Sequence, residues 1–274
     1  MITIDLHLHT NFSDGKLPLG KLVDLCGGAG LDAIAVTDHL CTQNHLLGKS
    51  ARFLKITLTE QNWKNYAVEL EKQRNRAWRE YRMHVFTGAE YTHNTFKHKR
   101  NAHILAVDLK EFVPPSLCEE DWIKAVKQLG ALTIAAHPLK LRDASSQTYY
   151  LLENAERFDP LIDVWEAANA RTLWRQMLKH SFSLIGSSDL HSPTRWPSWR
   201  TQLDCEKDPD AIKAFLKDRK SSRDLIFMTG SIQEIKHRVC LRFGQQTQFL
   251  KKGNVNALSH FGTLDNSCGL PSYS

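Results

Sequence analysis

The stretch Met1-Ile2-Thr3-Ile4-Asp5-Leu6-His7-Leu8-His9-Thr10 decides the reading of this chain. Its apolar and polar residues alternate, which is the period of a strand. Successive strand side chains point to opposite faces. Asp5, His7 and His9 are therefore expected on one face, with Ile4, Leu6 and Leu8 on the other. A pair of imidazoles on one rigid strand makes half of a metal site. The other half must come from the rest of the chain.

Outward from that strand the pattern repeats. Residues 10–15 read as a polar turn with Asp14-Gly15 punctuation, and Pro18 opens a short helix. Leu19, Leu22, Val23 and Cys26 recur on it at helical spacing before Gly27, Gly28 and Gly30 stop it. Residues 31–36 read as a strand ending at Thr37-Asp38-His39, and 40–58 as a loop centred on Gly48, Lys49 and Ser50. A long amphipathic helix is expected over about 59–82, with Trp63, Tyr66, Leu70, Ala77, Trp78 and Tyr81 as its buried stripe. Strands follow at 84–89, ending at Glu90, and at 102–107, with His103 near the beginning. Ser116 and Glu119 suggest a capping box for a helix to about 129. Further strands are expected at 131–136, before His137-Pro138, at 161–165, ending at Glu166, at 182–186, before Ser188-Asp189-Leu190-His191, and at 225–228. Helices are expected at about 145–157, 170–179, 209–218 and 231–242. Strand–helix alternation of this kind argues for an α/β fold with a parallel sheet, closed or open. One domain is expected over residues 1–243, with a polar, poorly ordered tail at 244–274.

Composition places the chain among ordinary soluble globular proteins. It has 274 residues, 42% hydrophobic and 24% charged. The net charge of +6 is a mild bias towards anionic partners, and alone it does not argue for nucleic-acid binding. The cysteines, at 26, 41, 118, 205, 240 and 268, form no CxxC pair, which suits a reducing compartment and a cytoplasmic protein. The chain starts directly on a strand pattern, so no signal peptide is expected, and no apolar run reaches membrane-spanning length.

In an α/β barrel the reactive groups sit at the C-terminal ends of the strands. That rule collects His7, His9, Asp14, His39, Glu90, His137, Asp189 and His191. Asp189 and His191 repeat the i, i+2 spacing of His7 and His9. His103 fits less well, because it begins its apolar run instead of ending it. Imidazole and carboxylate without thiolate suit a catalytic Mn²⁺, Zn²⁺ or Fe²⁺ site better than a closed structural zinc site. The set is too large for a single ion, so two or three divalent metal ions are expected, with a carboxylate such as Glu90 bridging. Such a centre is strongly positive and would hold an anion such as phosphate. His45, His84, His93, His98, His180, His237 and His260 are read as ordinary hydrogen-bonding histidines.

Together these residues resemble the PHP (polymerase and histidinol phosphatase) superfamily. Asp5-Leu6-His7-Leu8-His9-Thr10 with Ser13-Asp14-Gly15 resembles its first motif, and Ala35-Val36-Thr37-Asp38-His39 its second. Gly88-Ala89-Glu90, His103-Ile104-Leu105, Ala136-His137-Pro138 and Ser188-Asp189-Leu190-His191 resemble the rest, in family order. The resemblance covers about residues 1–230. It implies a distorted (β/α)7 TIM-like barrel with a trinuclear metal centre. By position, His7, His9, Glu90 and Asp189 would hold one ion, Glu90, His103 and His137 a second, and Asp14, His39 and His191 a third.

The expected function is a metal-dependent phosphoesterase acting on a phosphomonoester or nucleotide, with a metal-bridging hydroxide as nucleophile. Asp38 is a candidate proton donor, and Asp5 a candidate for orienting a ligand imidazole. Asn169, Arg171, Arg195 and Arg200 are candidate substrate contacts, as are Lys140 and Arg142. Trp196 and Trp199 read as packing residues, with stacking on a base as the alternative. One alternative is an exonuclease on short RNA or DNA, using basic residues 97–100 and 195–200 to track a backbone. Another is a non-catalytic interaction module.

Overall fold

The fold was analysed in a computed structural model, which describes residues 1–42, 46–95, 100–139, 148–230 and 235–241. The opening stretch forms strand β1 (Ile2–Leu8), and every residue of it is buried. The chain continues through α1 (Leu19–Gly28), β2 (Ala33–Val36), β3 (His39–Cys41), α2 (Leu46–Phe53), α3 (Glu60–Tyr81), β4 (His84–His93) and β5 (Ala102–Val107). After these come α4 (Glu119–Gln128), β6 (Leu132–Ala135), the short α5 (Tyr150–Glu153) and α6 (Ala155–Phe158), β7 (Val164–Asn169), β8 (Thr172–Leu173) and β9 (Leu184–Ser187). The described chain ends with β10 (Ser198–Leu203), α7 (Pro209–Lys217), β11 (Arg223–Met228) and β12 (Ile235–Leu241).

The strands form one mixed sheet in the order β12-β11-β10-β1-β2-β4-β5-β6-β7-β8, with β3 on β4 and β9 on β7. The expected uniform parallel alternation is not what the chain builds. β5 runs antiparallel to both β4 and β6. β4 ends at His93 and β5 begins at Ala102, and so short a connection can join only antiparallel neighbours. β10, β11 and β12 extend the other side of β1, each antiparallel to the strand before it in the sheet. The sheet curls so far that Leu190, just beyond β9, bridges to Leu8 at the end of β1. The result is a curled mixed α/β sheet, not a regular parallel barrel.

A β-bulge corrects the expected face assignment of β1. The β1–β2 register shifts between Asp5 and Leu8, and a bulge reverses which way later side chains point. Ile4 and Leu6 pack with Ala33, Leu105 and Ile134. Leu8 joins the other apolar cluster, with Leu22 of α1 and Tyr66 of α3. Asp5 is thereby parted from the imidazole face. Its Oδ2 lies 2.7 Å from Arg200 Nε and accepts from Ser188 Oγ at 2.6 Å. Both members of this ion pair are fully buried. Arg200 also donates to Ser198 Oγ and the Trp199 carbonyl, and its guanidinium lies over the Trp196 ring at 4.8 Å.

Several element expectations need correcting. Residues 40–58 hold β3 and α2, not an open loop. Residues 170–179 form β8 and a 3-10 turn at Met177–Lys179 instead of a helix. The expected helix at 231–242 is β12 where it is described, because β11 offers a free edge for it. Ser198–Leu203 form a further strand, β10, beyond those expected. α4 begins at Glu119 with Cys118 as its cap and no side-chain capping bond, since Glu119 lies 2.7 Å from His93 Nδ1 instead of closing a box with Ser116. α3 does carry a reciprocal capping box, between Thr59 and Asn62. Its buried stripe runs through Trp63, Tyr66, Leu70 and Ala77, while Trp78 stays exposed. The start of the expected helix at 145–157 and the tail at 244–274 lie outside the described residues. Among the described residues no helix is long and apolar enough to cross a membrane.

The Asp5–Arg200 pair should be a point of weakness. Arg200→Met strands a buried carboxylate, and breaking such a pair typically costs about 3–5 kcal/mol. Urea unfolding should show a loss of that order. The double variant Asp5→Asn/Arg200→Met should recover part of it, because no buried charge is left unpaired.

Candidate metal centre

The candidate ligands gather where the curled sheet brings its strand ends together. β1 delivers His7 and His9. The following turn folds back so that Gly15 N bonds to Thr10 O at 2.9 Å and Lys16 N to His191 O at 2.8 Å. A Cβ at Gly15 would stand 2.5 Å from the His9 carbonyl carbon, so only glycine lets the turn lie this close. Asp38 fixes the turn from below: Oδ1 accepts from Thr10 N and Ser13 Oγ, and Oδ2 from Thr10 Oγ1. Both of its oxygens are engaged and fully buried, so Asp38 is an anchor and is not placed to donate a proton into the site.

Glu90 is the hub. Its Oε1 lies 2.8 Å from His103 Nδ1, 3.4 Å from His137 Nε2 and 3.6 Å from His7 Nε2. Its Oε2 lies 2.8 Å from His39 Nδ1 and 3.5 Å from His9 Nε2. β3 pairs His39 in register with Glu90 of β4. His103 reaches the same place because β5 is reversed, so that its first residues, not its last, lie at the ligand end. This removes the difficulty His103 posed for the strand-end rule. Asp189 Oδ1 lies 3.4 Å from Nε2 of both His7 and His9 and 3.3 Å from His191 Nδ1. Asp14 Oδ1 lies 3.2 Å from His191 Nε2 and 3.5 Å from His39 Nε2. His137 and Asp189 both have positive φ, +30° and +51°. Non-glycine residues rarely do so, and when they do it is often at functional sites.

The donors are of the kind that can bind metal. His7 Nε2 and His9 Nε2 are buried without a hydrogen-bond partner. Buried polar atoms are normally satisfied, and both of these face Glu90 and Asp189. His39 and His191 turn their Nε2 atoms towards each other at 3.4 Å, where the two rings can share a single proton. The side chains sort into overlapping groups, each with its ligand atoms within 4.8 Å of one another: His9, Asp14, His39 and His191; His7, His137 and Asp189; His7, His9 and Glu90; and Glu90, His103 and His137.

The electrostatics are those of a crowded ligand set. Burial alone would lower His7, but Glu166, Asp189 and Glu90 together hold its imidazole well above the ordinary range. Burial, reinforced by His191 and His39, takes His9 well below it. His39 is raised to about 9, with Glu90 outweighing burial. Burial takes His103 down to about 4. Asp14 falls to about 2 despite burial, because His191 and His39 stand beside it. Burial would raise Glu90, yet the surrounding imidazoles hold it well below the usual carboxylate range.

Glu166 is the residue that sequence reasoning missed. Fully buried, it takes the His7 Nδ1 proton side at 2.9 Å through Oε1. Through Oε2 it accepts from the His137 backbone N at 2.7 Å and from Asn169 Nδ2 at 2.8 Å. Ser187 Oγ also donates to it. A register shift between Glu166 and Ala168 lets Glu166 and Asn169 meet on one face. The available signal was a carboxylate at the end of an apolar strand, the same signal that singled out Glu90.

The expected second-sphere and substrate residues divide. Asp5, engaged by Arg200 and Ser188, touches no ligand imidazole, and its Oδ1 lies 3.5 Å from the His7 backbone N. Arg200 is fully buried on Asp5 and cannot meet a substrate or track a nucleic-acid backbone. Asn169 is buried and spends its amide on Glu166. Arg171 is exposed but does not line the cavity. Arg195 does line it, in a cavity of about 680 Å³ that also takes in Asp14, Lys16, His39, His103, His137, Asp189 and His191. Trp196 and Trp199 are buried packing residues. His84 bonds to the Lys207 carbonyl, His93 meets Glu119, and His180 stacks on Phe182, so these three stay outside the cluster. Lys140, Arg142, His45, His98, His260, residues 97 and 99 and the side chain of His237 lie outside the described residues.

Comparison with known proteins fits this geometry. A fold match covering 81% of the chain, at TM-score 0.61 and 20% identity, is a Bacteroides vulgatus structure described as a two-domain protein containing a predicted PHP-like metal-dependent phosphoesterase. The chain spans 64% of that structure's length. A more distant likeness, TM-score 0.43 and 14% identity over 69% of this chain and 88% of the other, is an amidohydrolase from Chromobacterium violaceum with bound sulfate and no metal. No curated protein matches the chain. The PHP domain profile matches residues 5–182, taking in the clustered positions from His7 to His137 and stopping short of Asp189 and His191. Matched over well more than half its length, the chain belongs to the PHP domain family.

Proposed function

We propose that this chain is a metal-dependent phosphoesterase that hydrolyses a phosphomonoester or nucleotide. The observation that carries the proposal is the convergence of five imidazoles on the single carboxylate of Glu90. The three ligand groups implied by the family resemblance are supported by the way these side chains cluster, and favour three ions over two. When bound, divalent ions would supply Lewis-acid activation of water and neutralise phosphoryl oxygens. The chain's own residues set the frame for that chemistry. Glu90 joins the groups. Glu166 fixes the ring orientation of His7 and the backbone of His137. Asp38 holds the turn that carries Asp14. Lys16 and Arg195, both exposed on the cavity wall, are the cations placed to meet substrate oxygens outside the cluster.

The same reading treats β1, β2, β4, β5, β6, β7 and β9 as a distorted seven-stranded barrel, closed at Leu8 and Leu190. Residues 1–243 are then one domain.

The deciding experiment is a phosphatase and nuclease substrate panel run beside elemental analysis of the purified protein. Phosphate release from a phosphomonoester or nucleotide by ion-loaded protein is expected. Protein that carries its ions and releases no phosphate from any member would sink the proposal. Glu166→Gln should keep the fold and lower divalent-ion affinity about 10–100-fold, the usual effect of losing a carboxylate behind a ligand imidazole. Equilibrium titration with Mn²⁺ measures this.

The pH behaviour follows from His39. Its folded-state value of about 9 lies above its ordinary 6.5. The stabilisation from its protonated form is complete below the ordinary value and fades as pH rises through about 9. Ion-free protein should therefore lose thermal stability over that window through this group, and His39→Gln should flatten the loss. A bound ion displaces the same proton, so the rise in Tm on adding Mn²⁺ should grow over the window. Thermal melts at fixed ion concentration would show either trend or its absence.

A further inference from the structure

The cavity has two unlike walls. One carries the candidate ligands with Lys16 and Arg195. The other comes from α2 and the turn after it, and presents Leu47, Gly48, Ala51 and Ile56. An eight-residue helix is marginal on its own, and a helix in a protein usually gains its stability by burying an apolar face. α2 does not: among its residues only Gly48 is buried. Leu46, Phe53, Leu54 and Ile56 are exposed, at 64%, 86%, 62% and 37%. Among the described residues the remaining exposed large apolar side chains, Met1, Val68 and Trp78, lie in other elements. Of the exposed residues of this segment Ile56 lines the cavity, where it joins Leu47 and Ala51, and apolar side chains left in water in one segment are uncommon without a role.

The helix end aims this wall inward. Lys55 takes a left-handed φ of 57°. Ile56 N then bonds back to Ala51 O at 3.0 Å, and Lys55 N to Arg52 O at 3.1 Å. That closure brings Ile56 beside Leu47 and Ala51 on the cavity surface. The segment from 46 to 59 contains Lys49, Arg52 and Lys55 and no acidic residue, so it does not repel an anion.

We propose that α2 is the specificity element of the site and selects phosphoesters whose leaving group is apolar, an aryl or medium-length alkyl alcohol. The inference rests on the phosphoesterase reading above: the phosphoryl group lies at the ion cluster and the apolar group against Leu47, Ala51 and Ile56. Hydroxyls set against Leu47, Ala51 and Ile56 would go unpaired, and the polar lining, Thr42, Asn94, Ser192 and Thr194, is left for the phosphoryl side of the substrate. Pockets of this kind take their orientation from a few polar groups and their affinity from apolar contact.

The test uses full-length protein loaded with Mn²⁺ and two non-hydrolysable probes, 1-naphthylmethylphosphonate and methylphosphonate. Calorimetry should give the naphthyl probe a Kd lower by roughly tenfold or more, the scale on which apolar pockets discriminate. Leu47→Asp and Ile56→Asp should each shrink that ratio. Phe53→Ser, which lies outside the cavity lining, should leave it intact. Equal affinities, no binding of either probe, or a ratio indifferent to both aspartate variants would overturn the inference. So would a ratio lost in Phe53→Ser, because it would assign the preference to the outer surface. Phosphate release from 1-naphthyl phosphate by the same sample is scored separately. A binding preference without release counts against the phosphoesterase reading and leaves the apolar wall standing.

Discussion

Everything at the ligand end of this sheet depends on one carboxylate. Glu90 is fully buried, and five imidazoles lie within 3.6 Å of its two oxygens. A charge removed from water is tolerated only when it is compensated closely. Here the compensation comes from rings on separate strands, so the position of each strand is tied to that of the others. Protons can supply part of it, which is why His39 is raised and Glu90 is held low. Protons cannot supply all of it, since burial and neighbouring rings keep His9 and His103 from charging. A site that asks for more positive charge than its own imidazoles can carry is chemically suited to metal cations.

Much of this was legible in the sequence, because strand-end residues are positioned by a short, regular piece of backbone. Alternation in 1–10 gave β1, and the same logic placed His137 and Asp189 just past the ends of β6 and β9, while β4 runs on through Glu90 to His93 instead of ending there. What stayed illegible were departures from that regularity. The bulge after Asp5 is invisible in an alternating sequence, so Asp5 looked like a neighbour of His7 when it belongs to Arg200. Arg200 looked like a substrate contact, because the strand that buries it, Ser198–Leu203, has no clean alternation. The bulge at Ala167 likewise hid the meeting of Glu166 and Asn169.

Strand direction was the other hidden variable. A sequence states where a strand lies, and only the length of the connection before it hints at which way it runs. Between His93 and Ala102 there is no room for a crossover helix, so β5 had to return antiparallel. That single reversal turns His103 from an exception into a member of the cluster.

The anchoring of β1 between β2 and β10 has a consequence for how the protein is made. β1 is made before the other strands of this sheet, yet its antiparallel partner β10 and the buried arginine that neutralises Asp5 come almost two hundred residues later. Asp189 and His191 arrive only just before them. A nascent chain therefore exposes its first imidazoles long before the residues that complete their surroundings have left the ribosome. The full ligand set exists only after the chain has passed residue 191, so the cluster cannot assemble before every strand from β1 to β9 has been made.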